Sequence, residues 1–97
     1  MQQQLFDLVR QIPSGKCINY GALGALLDQP VSGKIVGRWM ASCPDDVPWW
    51  RVVAINGALP VGKRDPNMGL TQRQLLEDEG VPFLEDLVDL PHCRWDV

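Results

Sequence analysis

Three observations predict the fold class. The first residues carry apolar side chains at helical spacing, two short helices with capping residues flank a tight break, and an Asn-Gly pair sits between short apolar runs. Together they predict a mainly α fold with a small β-hairpin, arranged as a winged-helix-like helix-turn-helix. Leu5, Leu8, Val9 and Ile12 fall at i, i+3, i+4 and i+7, which places an amphipathic helix over the first dozen residues. Pro13-Ser14-Gly15 ends it. Asn19 supplies a cap for a second helix over roughly residues 20–27, with Leu23, Leu26 and Leu27 facing inward. Asp28-Gln29-Pro30 breaks the chain, and Ser32 caps a third helix that runs to about Ala41.

That third helix sorts its residues by side. Ile35, Val36, Trp39 and Met40 form an apolar face for the core, while Gly33, Lys34, Gly37, Arg38 and Ala41 occupy the opposite side. The outer side is basic and nearly flat, so another backbone can approach it closely. Residues 42–48 form a loop rich in Pro and Asp that leads into Trp49-Trp50. Residues 52–55 and 58–59 flank Asn56-Gly57, and this pattern predicts a hairpin closed by a type I′ turn. Residues 60–69 have no apolar period and read as a loop. Thr71 with Gln74 reads as a capping box that opens a fourth helix, which Gly80 stops and which offers Leu75 and Leu76 to the core. The remainder alternates apolar and acidic residues and closes with Leu90-Pro91 and Trp95. No internal repeat or composition shift divides the chain, so residues 1–97 are expected to form one domain of ordinary composition.

The net charge of −3 conceals a strong asymmetry. Glu77, Asp78, Glu79, Glu85, Asp86, Asp89 and Asp96 lie in the last 21 positions against a single base, Arg94. The first 76 residues carry eight Lys or Arg and five Asp, a balance of +3. A polyanion can therefore meet the first part of the chain over a small footprint while the acidic end faces elsewhere. Cys17, Cys43 and Cys93 are widely spaced and His92 is the only histidine, which gives neither a zinc pattern nor a disulfide framework. No apolar run has the length of a membrane span and the N-terminus has no signal-peptide pattern, so a cytoplasmic monomer without metal or cofactor is expected.

The most informative stretch is Pro48-Trp49-Trp50-Arg51-Val52-Val53. It resembles the Pro-Cys-His-Arg-Val signature of O6-alkylguanine-DNA alkyltransferases, with Trp49 at the cysteine position and Trp50 at the histidine position. An indole offers no thiolate, and its nitrogen is a donor only. Other segments carry the same resemblance in the same order: Ile12-Pro13-Ser14-Gly15-Lys16, Asn19-Tyr20-Gly21 with Leu23, Val36-Gly37 with Met40, and Leu75-Leu76 through Glu79-Gly80. Trp49 after Pro48, the Lys63-Arg64-Asp65 loop and the closing Leu90, Pro91 and Trp95 are similar to the alkyltransferase-like proteins, the non-catalytic branch. Trp50 departs from most of that branch, which keeps the histidine.

The resemblance implies a protein that binds O6-alkylguanine in double-stranded DNA by flipping the nucleotide, transfers no alkyl group, and marks the lesion for nucleotide excision repair proteins. It implies a lesion pocket of Tyr20, Pro48, Trp49 and Arg64, with Tyr20 crowding the phosphate beside the target. It also implies that the third helix enters the minor groove through Gly33, Lys34, Gly37, Arg38 and Ala41. Lys34 falls where the family places an arginine finger; lysine is a flexible point charge where arginine is planar and stacks. Arg51 is expected to combine a phosphate or structural hydrogen bond with packing, and Glu79 matches a carboxylate that supports the enzymes' histidine. Two other readings remain open at this stage. One is an alkyltransferase using another nucleophile, for which Cys43 is the nearest thiol but lacks an accompanying base. The other is a winged-helix regulator that reads sequence in the major groove, although Gly33, Gly37 and Ala41 lack the long polar side chains for base edges.

Overall fold

The computed structural model of the chain describes residues 2–59 and 65–96. Among them, four helices and four short strands follow in the order α1 (Gln2–Arg10), β1 (Ile18–Asn19), α2 (Tyr20–Ala25), α3 (Gly33–Met40), β2 (Val52–Val53), α4 (Pro66–Asp78), β3 (Phe83–Leu84) and β4 (Leu87–Val88). Short 3-10 turns occupy Trp49–Arg51 and Leu90–His92. The mainly helical plan with a central helix-turn-helix agrees with the sequence expectation.

Two apolar clusters hold these elements together. Leu5, Phe6 and Val9 of α1 join Ile12, Ile18, Leu23, Leu27, Val36, Val47 and Val52 in the first. Cys17, Val53, Leu76, Val81, Val88, Leu90 and Cys93 form the second. The strands β1 and β2 pair in parallel, Ile18 with Val52 and Asn19 with Val53, and they divide the clusters. Successive strand residues point to opposite faces, so Val52 enters the first cluster and Val53 the second. The C-terminal segment adds to this pair from the other side: Cys17 N–H donates to Cys93 O at 2.9 Å and Trp95 N–H donates to Cys17 O at 2.8 Å. Each fully buried Leu, Ile or Val contributes roughly 1.5–3 kcal/mol.

The helix-turn-helix is set by its caps. Asn19 is extended (φ −87°, ψ 159°) and its side chain accepts from Ala22 N–H at 2.8 Å, while the Ser32 hydroxyl accepts from Ile35 N–H at 3.3 Å. Both satisfy amides that a helix start leaves without partners. Val36 is fully buried and Trp39 and Met40 pack against the first cluster. Ile35 is only half-buried. Leu26 is 38% exposed, contrary to the expectation that it faces inward. Helix α2 is short, and Leu27, four residues after Leu23, takes the inward position and leaves Leu26 on the flank.

Further expectations need correction. Residues 52–59 do not form a two-stranded hairpin: β2 pairs with β1, and only the turn is local. Gly57 N–H donates to Ala54 O at 2.9 Å and Ala54 N–H donates to Ala58 O at 3.0 Å. Gly57 has φ +88° but Asn56 does not have positive φ, which excludes type I′. The Asn56 side chain instead accepts from Ala58 N–H at 3.0 Å. The hairpin lies later, where β3 and β4 pair antiparallel. Helix α4 begins at Pro66 rather than at Thr71, because the Asp65 side chain accepts from Asn67 N–H at 3.0 Å and proline suits a first helical position. Thr71 lies inside the helix and its hydroxyl donates to Asn67 O at 2.9 Å. Leu76 is buried as expected, but Leu75 is half-buried and Gln72 takes the second inward position, donating to Trp50 O at 3.1 Å and to Val52 O at 3.2 Å.

Gly57 is bound to its place by two constraints. Its φ of +88° suits glycine, and a Cβ there would lie well inside contact with the Val88 carbonyl. Gly37, inside α3, has no atom within 4 Å of an added Cβ. Gly57→Ala is therefore expected to cost about 2–3 kcal/mol, and Gly37→Ala to stabilise the fold by about 0.5–1 kcal/mol. Urea titration of the two variants measures both signs.

Candidate nucleic-acid interface

A cavity of about 420 Å³ opens between the helix-turn-helix and the segment that follows it. Tyr20, the first residue of α2, forms one side, in a place fixed by the Asn19 cap. Gly37, Met40 and Ala41, at the end of α3, form another. The loop after α3 contributes Cys43, Pro44 and Asp45, and α4 contributes Met68 and its cap Asp65. Trp49 completes the wall. Its volume lies within the range of roughly 300–1,000 Å³ typical of small-molecule sites.

Trp49 is held by its neighbours rather than by a deep socket. Pro48 is buried, Trp49 N–H donates to Val47 O at 2.7 Å, and Arg51 N–H donates to Pro48 O at 3.1 Å, which winds residues 49–51 into one 3-10 turn. The Trp49 and Trp50 rings meet edge to face, centroids 6.0 Å apart and planes at 86°. That geometry is favoured by the ring quadrupoles. Trp50 is anchored in turn, because its indole N–H donates to Glu79 Oε2 at 2.9 Å and its ring packs against the second cluster.

Glu79 collects further donors. Arg51 Nε donates at 3.1 Å and 3.2 Å, Arg51 Nη2 at 2.6 Å, and Gly15 N–H at 3.1 Å. Arg51 Nη1 donates to Ile12 O at 2.7 Å, and its guanidinium lies 5.4 Å from the Trp50 ring centroid. Burial alone would raise the Glu79 carboxyl, but the hydrogen bonds from Arg51, Trp50 and Gly15 outweigh it and hold its pKa below the ordinary value of 4.5.

The cavity brings together Tyr20, Gly37, Ala41 and Trp49 from the residues singled out in the sequence. Lys34 and Arg38 stand exposed on α3 and do not line it. Arg64 lies outside the described residues. For Arg51 the structure shows the structural hydrogen bonds and the packing: the side chains of the Arg51–Glu79 pair are only 15% and 13% exposed, and the guanidinium braces Glu79 and Ile12 O. A Cβ at Gly33 would sit 3.0 Å from Gly21 N, so its bareness also serves the approach of α3 to α2. Met68, Asp45 and Asp65 were not anticipated. Only the Asp65-Pro66 pair carried a local signal, as a helix start.

Cys43 lines the cavity, yet it is a poor nucleophile. Burial, followed by the Asp45 and Asp46 carboxylates, raises its pKa and keeps it a thiol.

Comparison with known proteins places the chain by family and fold. The family model for the DNA-binding domain of 6-O-methylguanine DNA methyltransferase matches residues 1–81. A DNA base-flipping protein of Vibrio parahaemolyticus is 32% identical over 84 residues, which is 84% of this chain and 81% of that protein. Alkyltransferase-like protein 1 of Schizosaccharomyces pombe is 32% identical over 100 residues, covering 95% of this chain and 91% of the relative. The crystal structure of S. pombe Atl1 with damaged DNA containing O6-carboxymethylguanine superposes with a TM-score of 0.80 at 30% identity, over 99% of this chain and 94% of that one.

The Glu79 cluster yields a test with a defined pH direction. A carboxyl whose pKa is depressed on folding contributes stability in full above its ordinary value and loses it as pH falls through the folded value. Glu79→Gln should destabilise the protein by about 3 kcal/mol at neutral pH. The gap to the parent should narrow below pH 4.5, which denaturant titrations at several pH values would record.

Proposed function

We propose a function for a chain that belongs to the family of the 6-O-methylguanine DNA methyltransferase DNA-binding domain: it binds O6-alkylguanine in double-stranded DNA, holds the flipped base against Trp49, and transfers no alkyl group. The observation that carries this reading is an indole lining an open cavity beside the end of α3, where a reactive member would present a thiolate.

The steps join the cavity's geometry to the family resemblance. Helix α3 docks in the minor groove with Gly37 and Ala41 against the sugar-phosphate backbone, and its exposed Lys34 and Arg38 neutralise phosphates. Tyr20, on one side of the cavity, crowds the phosphate beside the target. Lys34 reaches into the vacated stack and donates to the orphaned cytosine. Extruding a base costs a few kcal/mol. Stacking on an aromatic returns roughly 1–3 kcal/mol, and each buried alkyl carbon adds about 0.8 kcal/mol. An O6 substituent also spoils Watson–Crick pairing, so the damaged base leaves the duplex more cheaply than guanine does. Discrimination therefore needs no covalent step, and Cys43, held as a thiol, supplies none. The bound protein acts as a monomeric single domain in the cytoplasm, on nucleoid DNA, and presents the lesion to nucleotide excision repair proteins.

Anisotropy titration at two salt concentrations, against duplexes with and without one O6-methylguanine, tests the binding step. Preference for the lesion at both concentrations is expected; equal affinity for the two duplexes would refute it. Trp49→Ala should weaken lesion binding by about 5- to 150-fold, the worth of one stacking contact. Gly37→Ala should weaken DNA binding while stabilising the fold. Intact mass after incubation with the alkylated duplex should show no added alkyl group.

A further inference from the structure

We propose that Cys17 and Cys93 form a redox couple: a low-molecular-weight disulfide oxidises them to an intramolecular bond that staples the closing segment to β1. Such a bond depends on the fold alone, whatever the cavity binds. In the sequence the three cysteines have no framework spacing, but folding brings the first and last together. Cys17 N–H donates to Cys93 O at 2.9 Å, and Trp95 N–H donates to Cys17 O at 2.8 Å. Backbones joined in this way hold their Cα atoms about 5–6 Å apart, inside the range of roughly 4.4–6.8 Å that a disulfide spans. Cys17 pairs across this bridge with Arg94, and a regular strand would turn the side chain before Arg94 to the other face. Cys93 departs from strand geometry (φ −141°, ψ 12°), and its side chain enters the same apolar cluster as Cys17. There the two thiols are hydrogen-bonded to each other, and Cys93 Sγ also donates to Asp89 O at 3.4 Å. Cys43 packs against the other cluster and takes no part.

Both residues are buried, Cys17 at 0% exposure and Cys93 at 2%, and burial holds both thiols above the ordinary cysteine pKa. Exchange therefore begins with local opening of the closing segment. Cys93 is the thiol released, because Pro91, His92 and Arg94 around it are exposed, whereas Cys17 adjoins β1, which β2 holds in place. The Cys93 thiolate attacks one sulfur of the small disulfide; that S–S bond breaks and one small thiolate leaves. On reclosing, the Cys17 thiolate attacks the Cys93 sulfur, forms the protein bond and expels the second small thiolate. The two protons lost by the cysteines end on the two small thiols, so two electrons pass from the protein to the disulfide. The closed loop runs from Cys17 to Cys93 and contains every residue that lines the cavity, together with Trp50, Arg51 and Glu79. Closing it removes conformations from the unfolded chain and so favours the folded one.

Incubation of the full chain, without denaturant, at a series of ratios of oxidised to reduced glutathione tests the couple. Intact mass should show a species lighter by two hydrogens that dithiothreitol reverses, and peptide mapping should join Cys17 to Cys93 with Cys43 outside the bond. The oxidised chain should unfold at higher urea, with its unfolding constant lowered by about 30- to 1,000-fold. By linkage, the same factor should favour bond formation in the folded chain over the chain in concentrated urea. Cys17→Ser should stop instead at a glutathione adduct on Cys93. Free thiols at both positions at the most oxidising ratio, a bond to Cys43, or an oxidised chain no more stable than the reduced one would overturn the proposal.

Discussion

The Glu79 carboxylate, at the end of α4, accepts from the Trp50 indole, the Arg51 guanidinium and the Gly15 amide, and Arg51 extends the network to Ile12 O. Three parts of the chain, residues 12–15, residues 50–51 and the end of α4, are joined through one largely buried charge. Paired in this way the charge is tolerable; left alone, it would carry a desolvation cost of several kcal/mol. The 3-10 turn at Trp49–Arg51 hangs from this network. Trp49, whose ring leans edge-on against Trp50, inherits its orientation from a contact it does not itself make.

This arrangement gives Trp50 a role that its resemblance to a lost histidine does not suggest. The indole N–H donates to the same carboxylate that the resemblance assigns to supporting the enzymes' histidine. The donor is kept while the capacity to accept a proton is gone. On the proposed reading, a pair of tryptophans preserves the scaffold of a reactive site and makes its centre a surface for stacking. The acidic C-terminal third fits the same division, because its charges stand on α4, the β3–β4 hairpin and the closing segment, while α3 presents the exposed Lys34 and Arg38.

What could be read from the sequence depended on how local the physics was. The caps Asn19 and Ser32 and the stop at Gly80 were legible because each acts within three residues through a single hydrogen bond or a positive φ. The pairing of β1 with β2 was not, since it joins residues 34 apart and has no turn to announce it. Asn56-Gly57 drew attention to the wrong hairpin. The real one is closed at Glu85-Asp86, where Glu85 adopts φ 57° without the glycine or asparagine that marks such turns. The cavity itself was legible only in part. Trp49, Tyr20, Gly37 and Ala41 stood out by motif, but Asp45, Asp65 and Met68 reach it through tertiary packing. Arg51 shows the limit most plainly, because a basic residue in a DNA-binding motif is as readily a buried strut as a phosphate ligand.

The central claim is that an indole lines a cavity that receives a damaged base it does not repair. A crystal structure of the chain with a duplex carrying one O6-methylguanine examines that claim most directly. The account predicts the alkylated base outside the helix, lying against the Trp49 ring beside Gly37 and Ala41, with its methyl group intact. A lesion still stacked within the duplex while α3 occupies either groove would contradict it.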